Sequence, residues 1–356
     1  MQMEHTLHIV GFPHTAESKA YGQCSFTQKT RKFLRMFPDS YHYGNEGSDA
    51  PSKEFIQIFS KADQEQYFGS KEWFKNGQIY SIEWDESLPY WVDFNIRVIK
   101  EMAKRIKPDD IICLITGSSK LIARAFPNNI CVEFGVGYEG VFSNYKVFES
   151  NAWMHTIYGW QMQPSRADGS FNDTVIWNFF EKEDFPESDG SGDYLLWLNR
   201  PVARKGLQIA KDMAKRTGVK LVVAGAEEVK GENVEWVGYA DATKRAELIQ
   251  HARALVMPTL YIEMFGGAHM EAMMSGTPII TTDWGVFTET NIQGKTGYRC
   301  STMTEFCQAV EDVKTLDRKF IRQYAQENCS LEATQPKYQK YFDRIVGFRG
   351  KNWNDT

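Results

Sequence analysis

The stretch PTLYIEMFGGAHMEAMMSGTPIITTDWGVFTETNIQGKTG, residues 258–297, decides the fold. It begins where the apolar run Ala254–Pro258 ends, and that run reads as a strand. A helix begins near Gly267 and ends by Gly276, and Pro278–Thr282 reads as the next strand. Strand, tight turn, helix and strand in this order make a βαβ unit and therefore a parallel sheet. Gly266 and Gly267 let the backbone approach a ligand closely. The first N–H groups of a helix starting there point outward at the positive end of its dipole, which suits an anion. Glu263 and Glu271 flank that position. A carboxylate beside a phosphate is not a phosphate ligand, but it accepts hydrogen bonds from ribose or sugar hydroxyls. Locally, this is the chemistry of a nucleotide-sugar. The same residues also fit a surface loop leading into a core helix, with Ala268, Ala272 and Met273 merely packing and the carboxylates solvated.

Outward from this stretch the alternation continues. Tyr194–Leu198, Lys220–Ala224 and Val234–Gly238 read as strands, and Gly206–Arg216 and Ala242–Ala252 as helices, so 194–333 is expected to be a doubly wound α/β domain. Toward the N-terminus, Leu7–Gly11, Asp110–Ile115 and Asn129–Phe134 are strand-like and Phe26–Met36 is helical. Val92–Ile106 is amphipathic, with Val92, Ile96, Ile99, Met102 and Ala103 on one face. Residues 1–177 are therefore expected to form a second α/β domain. Between the two, Asn178–Asp193 (NFFEKEDFPESDGSGD) has the acidic, Gly-, Ser- and Pro-containing composition of a linker. A last helical stretch, Thr334–Val346, closes the chain, and 334–356 is expected to cross back to the N-terminal domain. Two such domains place a ligand in the cleft between them, at the carboxyl ends of the strands.

Composition sets the class. The chain has 356 residues, 42% of them hydrophobic, and a formal charge of −5, enough chain for two cores. No apolar run reaches the roughly 18–20 residues a bilayer span needs, so no integral membrane association is expected. MQMEHTLHIVGF carries no secretory pattern, so a cytoplasmic protein is expected. The six cysteines (Cys24, Cys113, Cys131, Cys300, Cys307, Cys329) are scattered, without zinc-site spacing, and read as reduced thiols. Residues 1–185 hold 19 Lys and Arg against 24 Asp and Glu, and the remainder holds 22 against 22. Neither half is a bulk nucleic-acid binder. One local patch stands out: Lys29, Arg31, Lys32 and Arg35 fall on one helix.

Glu263-x7-Glu271, followed by Ala272-Met273-x-x-Gly276-x-Pro278-Ile279-Ile280, resembles the signature of retaining glycosyltransferases of the GT-B fold, family four. Trp284-Gly285, Glu289 and Thr296-Gly297-Tyr298 downstream match the same pattern, as do Asn178, Leu198-Asn199-Arg200 with Lys205-Gly206, and Val237-Gly238-Tyr239 upstream. The resemblance covers the C-terminal half densely and in order. It implies two Rossmann-like doubly wound domains facing a central cleft. It also implies transfer of a sugar from a nucleotide-diphosphate sugar, UDP-linked, with retention of configuration. By resemblance, Arg200 and Lys205 neutralise the donor diphosphate, Gly266, Gly267 and Ala268 offer amides to it, and Glu271 holds the ribose hydroxyls. Glu263 holds those of the transferred sugar, and Tyr239 lies near the base. Catalysis then rests on Arg200, Lys205 and Glu263, without a cofactor. Asn199 departs from the glycine usual before the family's arginine.

The N-terminal half matches less closely. Where the family has a glycine-rich loop after the first strand, this chain has Gly11-Phe12-Pro13-His14-Thr15, which suggests recognition by side chains. His14 there, and Glu133 and Gly135 in Glu133-Phe-Gly-Val-Gly-Tyr138, are the acceptor-side candidates. No Asp-x-Asp pair follows a strand, in keeping with a metal-independent GT-B enzyme. The resemblance implies front-side attack, with the leaving phosphate taking the acceptor's proton. A glycan, lipid or small-molecule hydroxyl is the expected acceptor. Cys24-Ser-Phe-Thr-Gln28-Lys29 and His42-Tyr-Gly-Asn-Glu-Gly-Ser48 resemble a subgroup from phage and environmental genomes. That raises the alternative of glucosyl or arabinosyl transfer to 5-hydroxymethylcytosine in phage DNA, in the host cytoplasm, with the Lys29–Arg35 patch on phosphates. A nucleotide-sugar epimerase of GT-B fold and a two-lobed binding protein are the rival classes.

Overall fold

The computed structural model describes residues 5–69, 82–161, 169–200, 202–225 and 227–349. They form two compact units. One comprises Met1–Glu149, Ile157–Phe179 and Thr334 onward, and the other Ser150–Thr156 and Phe180–Ala333. The tail residues 350–356 of the helical stretch expected to cross back lie outside the described residues.

The first unit runs β1 (Leu7–Val10), α1 (Ser25–Met36), β2 (Tyr41–Gly44), β3 (Glu54–Gln57), α2 (Lys61–Phe68), α3 (Pro89–Met102), β4 (Ile111–Leu114), α4 (Lys120–Ala125), β5 (Ile130–Val136) and β6 (Tyr145–Phe148). α5 (Asn151–Gln161), whose first turn belongs to the other unit, and β7 (Thr174–Val175) follow. All strand pairs are parallel, in the order β3-β2-β1-β4-β5-β6-β7. β1, β4 and β5 are buried along their whole length, as strands covered on both faces must be. On one face Val10, Tyr43, Phe59, Phe94, Val98, Ile112 and Leu114 share a core. On the other, Phe33 of α1 stacks on Phe134 at 4.2 Å and meets Tyr338 edge-on at 5.0 Å.

The second unit runs β8 (Tyr194–Leu198), α6 (Leu207–Thr217), β9 (Lys220–Ala224), β10 (Val234–Trp236), α7 (Ala242–His251), β11 (Ala254–Met257), α8 (Gly267–Ser275), β12 (Ile279–Thr282), α9 (Phe287–Thr290), β13 (Gly297–Cys300), α10 (Met303–Asp312) and α11 (Arg318–Cys329). α12 (Leu331–Gly347) then leads into the first unit. Its parallel sheet has the order β10-β9-β8-β11-β12-β13. Leu195, Trp197, Val223, Val256 and Ile280 fill one side against Ala210, Met213, Phe306 and Val310. In both sheets the order reverses between the first and fourth strands of the unit. Successive connections there leave in opposite directions and open a crevice at the strands' carboxyl ends.

Three expectations change. α3 ends at Met102, and its inner face is Trp91, Phe94, Asn95, Val98 and Met102, while Ile96 is 52% exposed. Apolar residues run around more than half of this helix, and the bulk of the two aromatic rings decides which side is buried. The stretch read as a linker is tied to the second unit from Phe180 on: Ser188 is buried, donating its N–H to Ser275 O at 2.7 Å and accepting from Arg318 at Oγ at 2.6 Å. The basic patch on α1 dissolves. Lys29 and Arg31 are buried, Lys29 pairing with Glu149 at 2.7 Å, and Lys32 donates to Phe179 O at 2.5 Å. These cations face inward because buried acceptors await them there, so Arg35 alone of the four is exposed.

One turn holds β8's exit against β11's. Gly206 sits at φ 71°, and a Cβ on it would lie 1.9 Å from Pro258 O. Gly206→Ala therefore combines a left-handed backbone, costing about 1–2 kcal/mol, with a collision against backbone that cannot yield. Thermal unfolding should show a loss of at least about 2 kcal/mol, and an unchanged midpoint would remove this turn as a determinant of the fold.

Candidate active site

The carboxyl ends of β8 and β11 bring two connections together. From β8 come Asn199, Arg200 and a 3₁₀ turn, Ala203–Lys205, and from β11 comes the loop 258–266 leading into α8. Leu260 N donates to Arg204 O at 2.7 Å and zips the two together. Lys205 Nζ lies 2.8 Å from Glu263 Oε2, both side chains largely buried. The Tyr261 hydroxyl donates to the same oxygen at 2.7 Å. The Tyr261 ring lies under two cations, Arg204 at 4.9 Å and Lys205 at 5.0 Å. Burial, and then the Glu263 charge, push the Tyr261 phenol well above its ordinary value, so it remains a donor. Glu263 Oε1 receives no hydrogen bond among the described residues. An ammonium has three donors, so Lys205 can hold Glu263 and still reach an anion.

α8 begins directly beside this pair. Gly266 is its N-cap at φ 73°, and a Cβ there would sit 2.6 Å from Glu263 Cγ, so only glycine lets the carboxylate lie against the turn. A Cβ on Gly267 would meet nothing within 4 Å. The amides of Gly267 and Ala268 open the helix, where the dipole is positive. His269, fully buried, fixes this end: Nδ1 donates to Gly266 O at 2.7 Å, and Nε2 faces Thr290 Oγ1 at 2.9 Å. The carbonyl can only accept, which places the proton on Nδ1. On the far side, Glu289 accepts from the N–H groups of Asn151 and Ala152 at 2.9 and 2.8 Å, and Met264 O accepts from Ser150 Oγ at 2.6 Å.

Glu271 stands on α8 and pairs through Oε2 with Arg245 in the first turns of α7. Tyr239 is 43% exposed just before that helix, after Gly238. Arg200 is exposed at the end of β8, and Asn199 Nδ2 is buried with no hydrogen-bond partner among the described residues. The structure thus gathers Lys205, Glu263, Gly266, Gly267 and Ala268 at one switch point, with Arg200 on the same connection as Lys205. Glu271 stands one turn into the same helix. Sequence reasoning missed Tyr261, His269 and Arg245. Arg245 meets Glu271 and His269 meets Thr290 only through tertiary packing, while Tyr261 lies two residues from Glu263 in a loop whose course no spacing rule sets.

The first unit's candidates have other occupations. His14 is buried against Phe12, Phe68 and Trp84, and burial pushes its pKa down to about 3. Glu133 is fully buried, and its carboxylate holds the following loop. It accepts from Tyr138 Oη at 2.9 Å and from the amides of Phe142 and Ser143 at 2.9 and 2.7 Å. Burial still raises its pKa to about 7. Gly135, at φ 58°, gives its carbonyl to Lys29 Nζ at 3.3 Å.

Burial likewise lowers the His269 pKa to about 4, against 6.5 ordinarily. The unfolded chain takes up a proton as pH falls through 6.5, while the folded chain refuses it until about 4. Stability is therefore complete above about pH 6.5 and is lost toward pH 4, by roughly 3 kcal/mol for that shift. His269→Asn keeps a donor for the Gly266 carbonyl and cannot titrate. Its melting temperature should fall less than the wild type's between pH 6.5 and 4.5, and parallel curves would assign the acid lability elsewhere.

Residues 178–327 match the family described as Glycosyl transferases group 1. Glycogen synthase of Mycobacterium tuberculosis is 31% identical over 128 residues, so the chain spans only 30% of that relative's length and the match 30% of this chain. Among solved structures, AviGT4, a glycosyltransferase involved in avilamycin A biosynthesis, superposes with a TM-score of 0.67 at 16% identity, covering 96% of this chain and 98% of that one. Sucrose-phosphate synthase of Thermosynechococcus elongatus gives 0.66 at 14% identity, with coverage of 97% and 100%. Anabaena HepE in complex with UDP and glucose gives 0.66 at 11%, with coverage of 96% and 100%. At such identities the likeness shows the fold, two Rossmann-like units of the GT-B type. Residues 178–327 thus resemble the glycosyl transferases group 1 family, and the chain's two units have the GT-B fold.

Proposed function

We propose that this protein transfers a sugar from a nucleoside-diphosphate sugar to a hydroxyl acceptor, with retention of configuration and with the donor held by the second unit. The observation that carries the reading is the convergence of Lys205, Glu263 and the amino end of α8 at the switch point between β8 and β11. One position there is electropositive and beside it a carboxylate oxygen is unengaged, which suits a diphosphate next to a polyol. Lys205 and Arg200 take the diphosphate together with the amides of Gly267 and Ala268. Glu263 accepts from hydroxyls of the transferred sugar, Glu271 from the ribose, and Tyr239 lies at the base. The similar HepE structure contains UDP, which supports a uridine donor.

In the reaction the bond from the anomeric carbon to the β-phosphate oxygen breaks and the bond to the acceptor oxygen forms. The acceptor's proton passes to the departing phosphate, and no side chain becomes covalently attached. Charge accumulates on the leaving diphosphate, so groups preorganised there lower the barrier most. Lys205 is fixed before the donor arrives by Glu263 and the Tyr261 ring, so little reorganisation accompanies catalysis. Glu263 places negative charge beside the sugar, where positive charge develops on the ring. No observation favours DNA as acceptor, since Lys29 and Arg31 of the α1 patch that suggested it are buried and Lys29 is paired with Glu149.

Melting temperatures measured with UDP, GDP, ADP and CMP test the donor class: a ligand at 100 times its Kd adds about 2.7 kcal/mol. A selective rise with UDP is expected. Lys205→Ala should reduce kcat by on the order of 10²–10³ while the fold survives, as for loss of one transition-state donor. Arg200→Ala should weaken UDP binding. Near-wild-type turnover in both variants would remove the diphosphate clamp, and no response to any nucleotide would remove the donor reading.

A further inference from the structure

Trp84, in the first unit, stays 39% exposed although the backbone at and before it is pinned. Its carbonyl accepts from Ser118 Oγ at 2.7 Å, and the Glu83 carbonyl accepts from Tyr90 Oη at 2.7 Å and from Trp91 Nε1 at 3.1 Å. Ser118 follows β4 and is itself held by the fully buried Asn95 of α3, which donates to its carbonyl at 2.8 Å. The Trp84 ring meets Phe26 at 5.0 Å, His14 at 5.6 Å and Phe12 at 6.1 Å, edge-to-face in each case, with interplanar angles of 80°, 87° and 81°. Phe12 and His14 follow β1. Trp84 is therefore tied to the exits of both β1 and β4, the switch point of the first sheet, where an α/β sheet opens its ligand crevice. A ring that only filled the core would be covered. This one is fixed by hydrogen bonds and ring contacts and still reaches water, which is how a preorganised binding surface is built.

The polar groups around this ring are spent on the protein. Asn45 gives its amide to the carbonyls of Phe12 and Thr15, both at 2.7 Å, and His14 Nε2 faces the Cys24 thiol at 3.7 Å. The Tyr138 hydroxyl, whose ring meets Phe26 at 5.8 Å, donates to Glu133. Burial keeps His14 neutral, and Lys29, 5.4 Å from the Phe26 ring centre, is paired with Glu149. An anionic ligand would find Lys29 already taken, and a glycan would find these hydrogen-bonding partners engaged. What remains is ring surface. An alkyl chain gains only buried area there, whereas an aromatic ring also continues the edge-to-face array that three rings already form with Trp84. We propose that the acceptor is an uncharged alcohol borne on an aromatic ring, and that Trp84 is the specificity residue on which this ring packs. This names the acceptor class of the proposed transfer and rests on that reading.

The test is ligand-observed NMR titration of the full chain, with UDP present, using benzyl alcohol, its saturated counterpart cyclohexylmethanol, and methyl glucoside as probes. Wild type should bind benzyl alcohol at least about threefold more tightly than cyclohexylmethanol, the worth of an aromatic pair beyond its buried area, and methyl glucoside more weakly than either. Trp84→Leu should weaken benzyl alcohol by about fivefold and bring the two cyclic alcohols within about twofold of each other. Trp84→Phe, which keeps a ring, should retain the preference, and it keeps the test available if the leucine variant does not fold. UDP affinity, measured by calorimetry on the same samples, should stay within about twofold of wild type in both variants. Equal binding of the two cyclic alcohols by wild type, tighter binding of methyl glucoside, or an unchanged preference in Trp84→Leu would each overturn the proposal while leaving the donor reading in place. No UDP binding by wild type would overturn the transfer reading itself, and with it the assignment of this ring site to an acceptor.

Discussion

Parallel pairing of β8 with β11 is the constraint on which the candidate site depends. Leu195 lies opposite Ala254 and Leu196 opposite Leu255, so two connections about sixty residues apart in sequence leave the sheet side by side. Gly206 against the Pro258 carbonyl, and the Leu260 amide on the Arg204 carbonyl, hold those connections in contact. Lys205 meets Glu263 only because of that contact. A shift of β8 by one residue would turn its side chains to the opposite face and carry the lysine away. The buried strand residues Leu195, Trp197 and Val256 fix the register hydrophobically, and the polar site inherits its geometry from them.

The site is built by pairing charges that would be costly alone. Lys205 with Glu263 and Arg245 with Glu271 each place a cation and a carboxylate beyond the carboxyl ends of the strands, where neither pair is fully desolvated. The first pair retains unused hydrogen-bonding capacity, in the spare ammonium donors of Lys205 and in Glu263 Oε1, which receives no hydrogen bond among the described residues. That half-engaged pair is already oriented, so a polar ligand completes it without displacing it. His269 performs the complementary task. Burial keeps it neutral, and its fixed Nδ1–H holds the Gly266 carbonyl away from the amide cluster that an anion would use.

The first unit shows how a site-like sequence becomes architecture. His14 follows the first strand, where a ligand loop is expected, yet it is enclosed by aromatic rings. Glu133 lies at the end of a buried strand and spends its carboxylate on two amides and a phenol. Lys29 looked like a phosphate ligand, but Glu149 and the Phe26 ring hold it inside. In each case the residue type was legible and its partner was not, because the partner arrives from a distant strand or helix.

Local order was readable from the amino acids alone. Alternating short apolar runs and helical periods identified two doubly wound units, and β8 and β9 end where the sequence reading placed them. Glu263, Gly266, Gly267 and Glu271 were legible as a group because they lie within one turn-and-helix segment whose geometry is local. The backbone there is dictated by glycines and helix spacing, which act over a few residues. What tertiary structure alone decided is which charges meet. The union of Lys205 with Glu263 and of Arg245 with Glu271, the inward turn of Lys29, and the burial of His14 and Glu133 all depend on contacts between elements brought together by sheet order. Burial and pairing are properties of the assembled core, and a side chain's own sequence neighbours do not specify them.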